Sequence, residues 1–214
     1  MTNSEIATYI DHTLLKPVAT WEQICELCDE AVKYNTASVC IPPCYIKRVK
    51  DKYGDGLKIA TVIGFPLGYE TTATKAEETA VALDDGADEI DMVINITDVK
   101  NGQYDLVEEE IASLKTICGD KILKVIVETC YLTEDEKIAM CKAVTNAKAD
   151  YIKTSTGFGT AGATLEDVKL FKQHIGPNVK IKAAGGIRTK EDMQAYIEAG
   201  VSRIGCSSTK VLFE

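Results

Sequence analysis

The chain has 214 residues, 45% of them hydrophobic and 27% charged, the balance of an ordinary globular protein long enough to bury a sizeable core. Acidic residues outnumber basic ones 33 to 24, giving a net charge of −9. That argues against a nucleic-acid partner, whose affinity would rest on Lys and Arg neutralising phosphates. The opening MTNSEIATYIDH lacks a basic segment followed by an apolar run, and no apolar stretch reaches membrane-spanning length, so the expected setting is the cytoplasm with no membrane partner.

In chain order, YIDHTL (9–14) is a short strand candidate, followed by a helix from Trp21 to Tyr34 that Thr20 can cap. SVCI (38–41) and KIATVIGF (58–65) are the next strands, rich in Val and Ile between polar or turn residues. Residues 71–87 carry Ala73, Ala76, Ala80 and Leu83 at helical spacing, with Gly86 to end the helix. After the strand DEIDMVINI (88–96), residues 103–117 repeat Tyr104, Val107, Ile111 and Leu114 at the same period. ILKVIVET (122–129) and DYIKTS (150–155) flank a helix opened by Thr133 with Glu136 three residues on, a capping box. Thr164 with Asp167 and Thr189 with Asp192 open two more helices, which alternate with the strands VKIKAAGG (179–186) and SRIGCSS (202–208).

Strands alternating with helices imply a parallel sheet, and the near-continuous apolar strands imply that both faces are covered. No GxGxxG follows the first strand, which removes the best support for an open dinucleotide-binding sheet. Polar residues cluster instead at the C-terminal ends of several strands, where a (β/α)8 TIM barrel carries its active site. The expectation is one such barrel over residues 1–214.

The eight cysteines do not argue for a metal centre. Cys25 and Cys28 fall on one apolar face of a helix, and no second pair completes a zinc site. The only histidines, His12 and His174, lie in unrelated contexts, so the expectation is no metal and no cofactor.

Charge inside strands built for burial is more telling. Asp91 lies in EIDMVIN, Glu128 ends KVIVE, Lys153 lies in YIKTS and Lys182 lies in IKAAGG. A structural salt bridge in the barrel is the alternative for any one of them. Burying several charges without purpose is expensive, and perturbed ionisable groups gather at functional sites. Lys180, earlier in its strand, is expected to be a rim charge. Two lysines in one barrel mouth suggest imine chemistry, because only a neutral amine attacks a carbonyl. Bringing a lysine from about 10.4 to about 7 requires roughly 4–5 kcal/mol. A second ammonium about 4 Å away supplies on the order of 4 kcal/mol at an effective dielectric of 20, and desolvation adds to it. A small anion can be held by glycines and hydroxyls after the last two strands: Gly185 and Gly186, then Gly205, Ser207 and Ser208 before a short terminal helix. The stretch TGFGTAGAT (156–164) is a glycine-rich loop that can close over a substrate.

IDHTLLKP (10–17), IGFPLG (63–68), EIDMVINI (89–96), IKTSTGFGTAGAT (152–164), KAAGGIRT (182–189) and RIGCSS (203–208) together resemble the deoxyribose-phosphate aldolase family, in that family's order. The resemblance implies a class I aldolase that reversibly cleaves 2-deoxy-D-ribose 5-phosphate to acetaldehyde and D-glyceraldehyde 3-phosphate. By the same resemblance, Lys153 is the Schiff-base nucleophile, Lys182 lowers its pKa, and Asp91 moves protons with Lys182. Gly157, Gly185, Gly186, Ser207 and Ser208 match phosphate contacts, and Asp11 and Thr13 match positions near the substrate hydroxyls. A homodimer is common in the family. Some members carry a tyrosine at the end of a longer tail, where this sequence ends in VLFE. Some carry a lysine after TSTG, where this sequence has Phe158. Cys40 matches a position that aldehydes can modify, and is expected to be a liability and not a catalyst. Two rivals remain at this stage: a phosphosugar isomerase using Asp91 or Glu128 as base, and a degenerate barrel that only binds a phosphorylated metabolite.

Overall fold

Eight short parallel strands pair in sequence order, β1 with β2 through to β8, and β8 pairs back onto β1 to close a barrel. The structure is a computed structural model that describes residues 1–213; Glu214, the last residue of VLFE, lies outside the described residues. The strands and helices run α1 (Asn3–Ala7), β1 (Ile10–Thr13), α2 (Trp21–Tyr34), β2 (Ser38–Ile41), α3 (Ile46–Tyr53), β3 (Ile59–Ile63), α4 (Thr72–Asp84), β4 (Glu89–Val93), α5 (Ile96–Lys100), α6 (Tyr104–Cys118), β5 (Ile122–Ile126), α7 (Glu134–Asn146), β6 (Tyr151–Lys153), α8 (Leu165–His174), β7 (Lys180–Ala184), α9 (Lys190–Ala199) and β8 (Arg203–Cys206). All eight anticipated strands are present, each inside the anticipated bounds or matching them. The capping boxes at Thr133 and Thr189 form, and Thr164 caps α8 through its hydroxyl. Three helices were not anticipated. α1 and α5 are single turns, and α3 (IKRVKDKY) offers only Ile46 and Val49 as a buried stripe.

Strand alternation sorts the side chains into two populations. Ile90, Met92, Leu123, Val125, Ile152, Ile181 and Ile204 point outward and pack against Ile24, Ile111, Val144 and Phe171 of the surrounding helices. This shell between sheet and helices is the main hydrophobic core. Facing inward are a small apolar group, Cys40, Ala60 and Val62, and a set of charged residues where a barrel ordinarily holds Val, Ile and Leu. Among the described residues no helix is long and apolar enough to cross a membrane.

One buried ion pair sits outside the barrel. Lys75 of α4 is fully buried, 2.9 Å from Glu110 of α6, and donates to the carbonyl of Val93 at 2.8 Å. It ties two helices to the C-terminal end of β4. Lys75→Met leaves the Glu110 carboxylate buried without its cation and is expected to cost about 3–5 kcal/mol, read from urea denaturation. Adding Glu110→Leu should recover most of that loss, because an apolar pair of similar volume carries no desolvation cost.

Candidate active site

At the C-terminal ends of the strands lies a cavity of about 400 Å3 lined by Thr13, Lys16, Lys153, Gly157, Gly185, Gly186, Arg188, Gly205 and Ser207, among others. Lys153 closes its floor. It ends β6, where strand alternation turns it inward beside Lys182 of β7, its register partner. The Lys153 amine donates to Oδ2 of Asp91 at 2.7 Å, and Lys182 donates to the same oxygen at 2.6 Å. The two nitrogens therefore lie within two hydrogen-bond lengths of each other.

Below this pair the charges continue. Lys182 also donates to Asp11 Oδ2. Lys124 bonds Asp91 Oδ1 at 2.7 Å and Glu89 at 2.5 Å, and stands 3.6 Å from Asp11. Arg203 grips Glu89 with both terminal nitrogens at 2.9 and 3.1 Å and reaches Asp11 Oδ1 with one of them. All of these side chains are buried or nearly so.

The electrostatics separate the two lysines of the mouth. Burial pushes the Lys153 pKa down, Lys182 adds to that, and Asp91 only partly opposes it. Lys182 suffers the same burial, but Asp11 and Asp91 outweigh it and hold its proton more firmly than usual. Asp91, despite its burial, is held well below the ordinary carboxylate range by Lys124, Lys153 and Lys182. The arrangement makes Lys153 the easier of the two to deprotonate and keeps the proton on Lys182. The sequence placed the second ammonium first and desolvation second as causes of the Lys153 shift, and the structure reverses that order. Asp91 stands between the two, so burial is the larger cause and Lys182 the second.

The loop after β6 is held at both ends. Glu128, in a left-handed backbone conformation (φ 53°, ψ 66°), accepts the Thr156 amide at 3.2 Å and the Thr156 hydroxyl. At the far end Ala163 donates to the carbonyls of Ala184 and Gly185 at 3.1 Å each, and Tyr196 donates to the Ala163 carbonyl at 2.7 Å. Any side chain on Gly162 would collide with the Gly185 carbonyl, which is why this crossing needs glycine. The span between, 157–161, is largely exposed beside the cavity.

The residues expected from the sequence divide accordingly. Lys153, Thr13, Gly157, Gly185, Gly186, Gly205 and Ser207 line the cavity, whereas Ser208 does not. Lys182 and Asp91 lie directly beneath Lys153. Asp11 is not on the cavity wall. It is fully buried and saturated by Lys182, Arg203 and the Ser38 hydroxyl, so it reaches the mouth only through Lys182. Cys40 is buried against Ala60 and Val62, and burial raises its thiol pKa, which disfavours the reactive thiolate. Lys180 is exposed at the opposite end of the barrel. Lys124, Glu89 and Arg203 were not anticipated. Lys124 carries the same signal as the others, a charge at the centre of an apolar strand. Glu89 and Arg203 open their strands, where a charge usually meets solvent.

The model of the DeoC/LacD family of aldolases matches residues 6–208. A deoxyribose-phosphate aldolase of Clostridium botulinum is 68% identical over 207 residues, covering 97% of this chain and 94% of the relative. One from Clostridioides difficile is 60% identical over 199 residues, covering 93% of this chain and 91% of the relative. The structure of an Aeropyrum pernix deoxyribose phosphate aldolase, described as tetrameric, aligns with a TM-score of 0.91 at 31% identity, over 99% of this chain and 91% of that one. On that coverage, the chain belongs to the DeoC/LacD family of aldolases.

Proposed function

We propose that this protein is a deoxyribose-phosphate aldolase, cleaving 2-deoxy-D-ribose 5-phosphate reversibly to acetaldehyde and D-glyceraldehyde 3-phosphate through an imine on Lys153. One observation carries the assignment of the nucleophile. The Lys153 amine is buried at the floor of the mouth cavity and shares a single Asp91 oxygen with Lys182. It is thus a lysine poised to be neutral with an acid and a base beside it.

The steps follow from that placement. The Lys153 lone pair adds to the C1 aldehyde of the open-chain sugar. Asp91 accepts the proton lost by nitrogen, and Lys182 delivers one to the departing hydroxyl, which leaves as water to give the iminium. Asp91, having passed its first proton to Lys182, takes the C3 hydroxyl proton through a water as the C2–C3 electron pair moves into the iminium, and it holds that proton for return to C2. C3 becomes the aldehyde carbon of glyceraldehyde 3-phosphate, and the enamine remains on Lys153. Protonation at C2 and hydrolysis release acetaldehyde and the free amine. Each step uses only side chains and water.

The phosphate is assigned to the wall formed by Gly157, Gly185, Gly186, Gly205 and Ser207, with the Lys16 and Arg188 cations on the same cavity. These cations take the place of the lysine that Phe158 replaces. Thr13 is placed at the substrate hydroxyls, and Asp11 acts by orienting Lys182. We take the setting to be cytoplasmic.

Glu128 is assigned to hold Gly157 in register through Thr156. Glu128→Ala is expected to raise KM about tenfold or more for the phosphorylated sugar, from the loss of two hydrogen bonds to a carboxylate, with kcat changed far less. Steady-state kinetics check this, and a fall in kcat at constant KM would place Glu128 in the chemistry instead.

The function itself is tested by adding borohydride in the presence of 2-deoxy-D-ribose 5-phosphate. Reduction should inactivate the enzyme irreversibly and leave the reduced adduct on the peptide bearing Lys153, found by mass spectrometry. An unlabelled, fully active enzyme would overturn the imine and favour an isomerase using a carboxylate base.

A further inference from the structure

The charges inside the barrel form one connected ion-pair network. It contains three carboxylates, Asp11, Glu89 and Asp91, and four cations, Lys124, Lys153, Lys182 and Arg203. Fully ionised, it would bury one positive charge in excess, and a buried uncompensated charge is the costliest state available to such a network. The excess is relieved most cheaply at the cation with fewest partners. Lys124 has three carboxylates within 3.6 Å, Lys182 and Arg203 have two each, and Lys153 has one. Lys153 is also the member that lines the mouth cavity, so it can lose its proton to solvent.

Arg203 is the member farthest along the contacts from Lys153, reaching it through Asp11, Lys182 and Asp91, while its partner Glu89 is one contact nearer, through Lys124 and Asp91. We infer that the Arg203–Glu89 pair is a positioning element for the reaction, whose two charges set from the far end of the barrel whether Lys153 carries a proton. The inference rests on Lys153 being the imine-forming amine. Arg203 supplies the surplus positive charge, and Glu89 limits how much of it is felt at the mouth. Glu128, Cys40, Lys16 and Arg188 also surround Lys153, and Tyr151 lies under the Arg203 guanidinium with 5.7 Å to the ring centre. None of these makes an ion pair with Lys153 among the described residues, and none changes in the variants below.

The test is the acid limb of the kcat/KM profile, which reports the free-enzyme ionisation of the attacking amine. A unit charge on the order of 10 Å away, at an effective dielectric of 20, moves an ionisation by about one pH unit. Arg203→Met should shift the acid midpoint up by about that much, and Glu89→Gln should shift it down. The Arg203→Met/Glu89→Gln double variant should return it near the starting value, and Arg203→Lys, which keeps the charge, should leave it in place. A pair that only braces the barrel would lower turnover without moving the midpoint in opposite directions, so equal or absent shifts in folded variants overturn the inference. If Arg203→Met does not fold, Glu89→Gln and Arg203→Lys still give the two contrasting outcomes. Borohydride labelling of the unsubstituted protein is run alongside. Lys153 labelled with immobile midpoints defeats this inference alone, whereas Lys153 unlabelled defeats the assignment it rests on.

Discussion

Lys153→Met is expected to abolish cleavage, lowering kcat/KM by about 10^4-fold or more, the scale on which removal of a covalent nucleophile leaves only binding behind. The borohydride adduct should vanish with it. The fold should survive, because Lys153 has a single ion-pair partner, Asp91, which keeps Lys124 at 2.7 Å and Lys182 at 2.6 Å. Methionine fills similar volume without an amine to desolvate, so the thermal midpoint should be unchanged or higher. That combination separates a catalytic lysine from a structural one. A salt-bridge lysine lost from the barrel would lower stability and activity together. Residual activity within about tenfold of the unsubstituted enzyme would remove Lys153 from the mechanism.

Asp91→Asn should damage both properties at once. Asp91 is fully buried and accepts from three lysines, so its neutral replacement leaves the Lys124 and Lys182 cations facing one another with only Asp11 and Glu89 to compensate them, and Lys153 without its one carboxylate. A loss of about 3–5 kcal/mol is expected, on the scale of breaking a buried pair. The pH dependence follows from the sign of the shift. The Asp91 carboxyl is held well below its ordinary range, so it binds fewer protons folded than unfolded. Its stabilisation is therefore fully present above about pH 4 and is lost as the pH falls further. The gap in urea-denaturation stability between the two proteins should be widest near neutrality and should narrow in strong acid. Activity should fall about 10^2- to 10^4-fold, the range for a general acid–base group. That loss cannot come from a protonated nucleophile. Removing the negative charge beside Lys153 lowers its pKa further, so the amine stays available and the missing function is proton transfer. A stable variant with an intact kcat would show that Asp91 is a spectator.

Much of this was legible in the sequence. β-strand side chains alternate, so the parity of a charged residue within an apolar run already assigns it to the inner or outer face. That is why Asp91, Lys153 and Lys182 could be placed in a barrel interior, and why the glycines and serines after β7 and β8 could be placed at its mouth. The capping residues Thr20, Thr133, Thr164 and Thr189 likewise marked helix starts, because a side-chain oxygen next to orphaned amides is a local interaction needing no tertiary partner. Parity does not say which inward residues meet across the barrel. That depends on how far each strand is staggered when β8 closes onto β1. Closure sets Asp11 beneath Lys182, away from the substrate, and brings Arg203 of β8 against Glu89 of β4 across the interior.

By itself, then, the sequence pointed to the barrel and its face assignments, because these follow from short-range periodicity, and it placed two lysines in the mouth; the choice of Lys153 as the one expected to react came from the resemblance to the aldolase family. Only the tertiary structure decided the partners: that burial more than a second ammonium depresses Lys153, that Lys124 and Arg203 join its network, and that Glu128 pins the loop after β6. Those facts are distances between segments far apart in the chain, and they come into being only when the sheet closes and water is excluded from its centre.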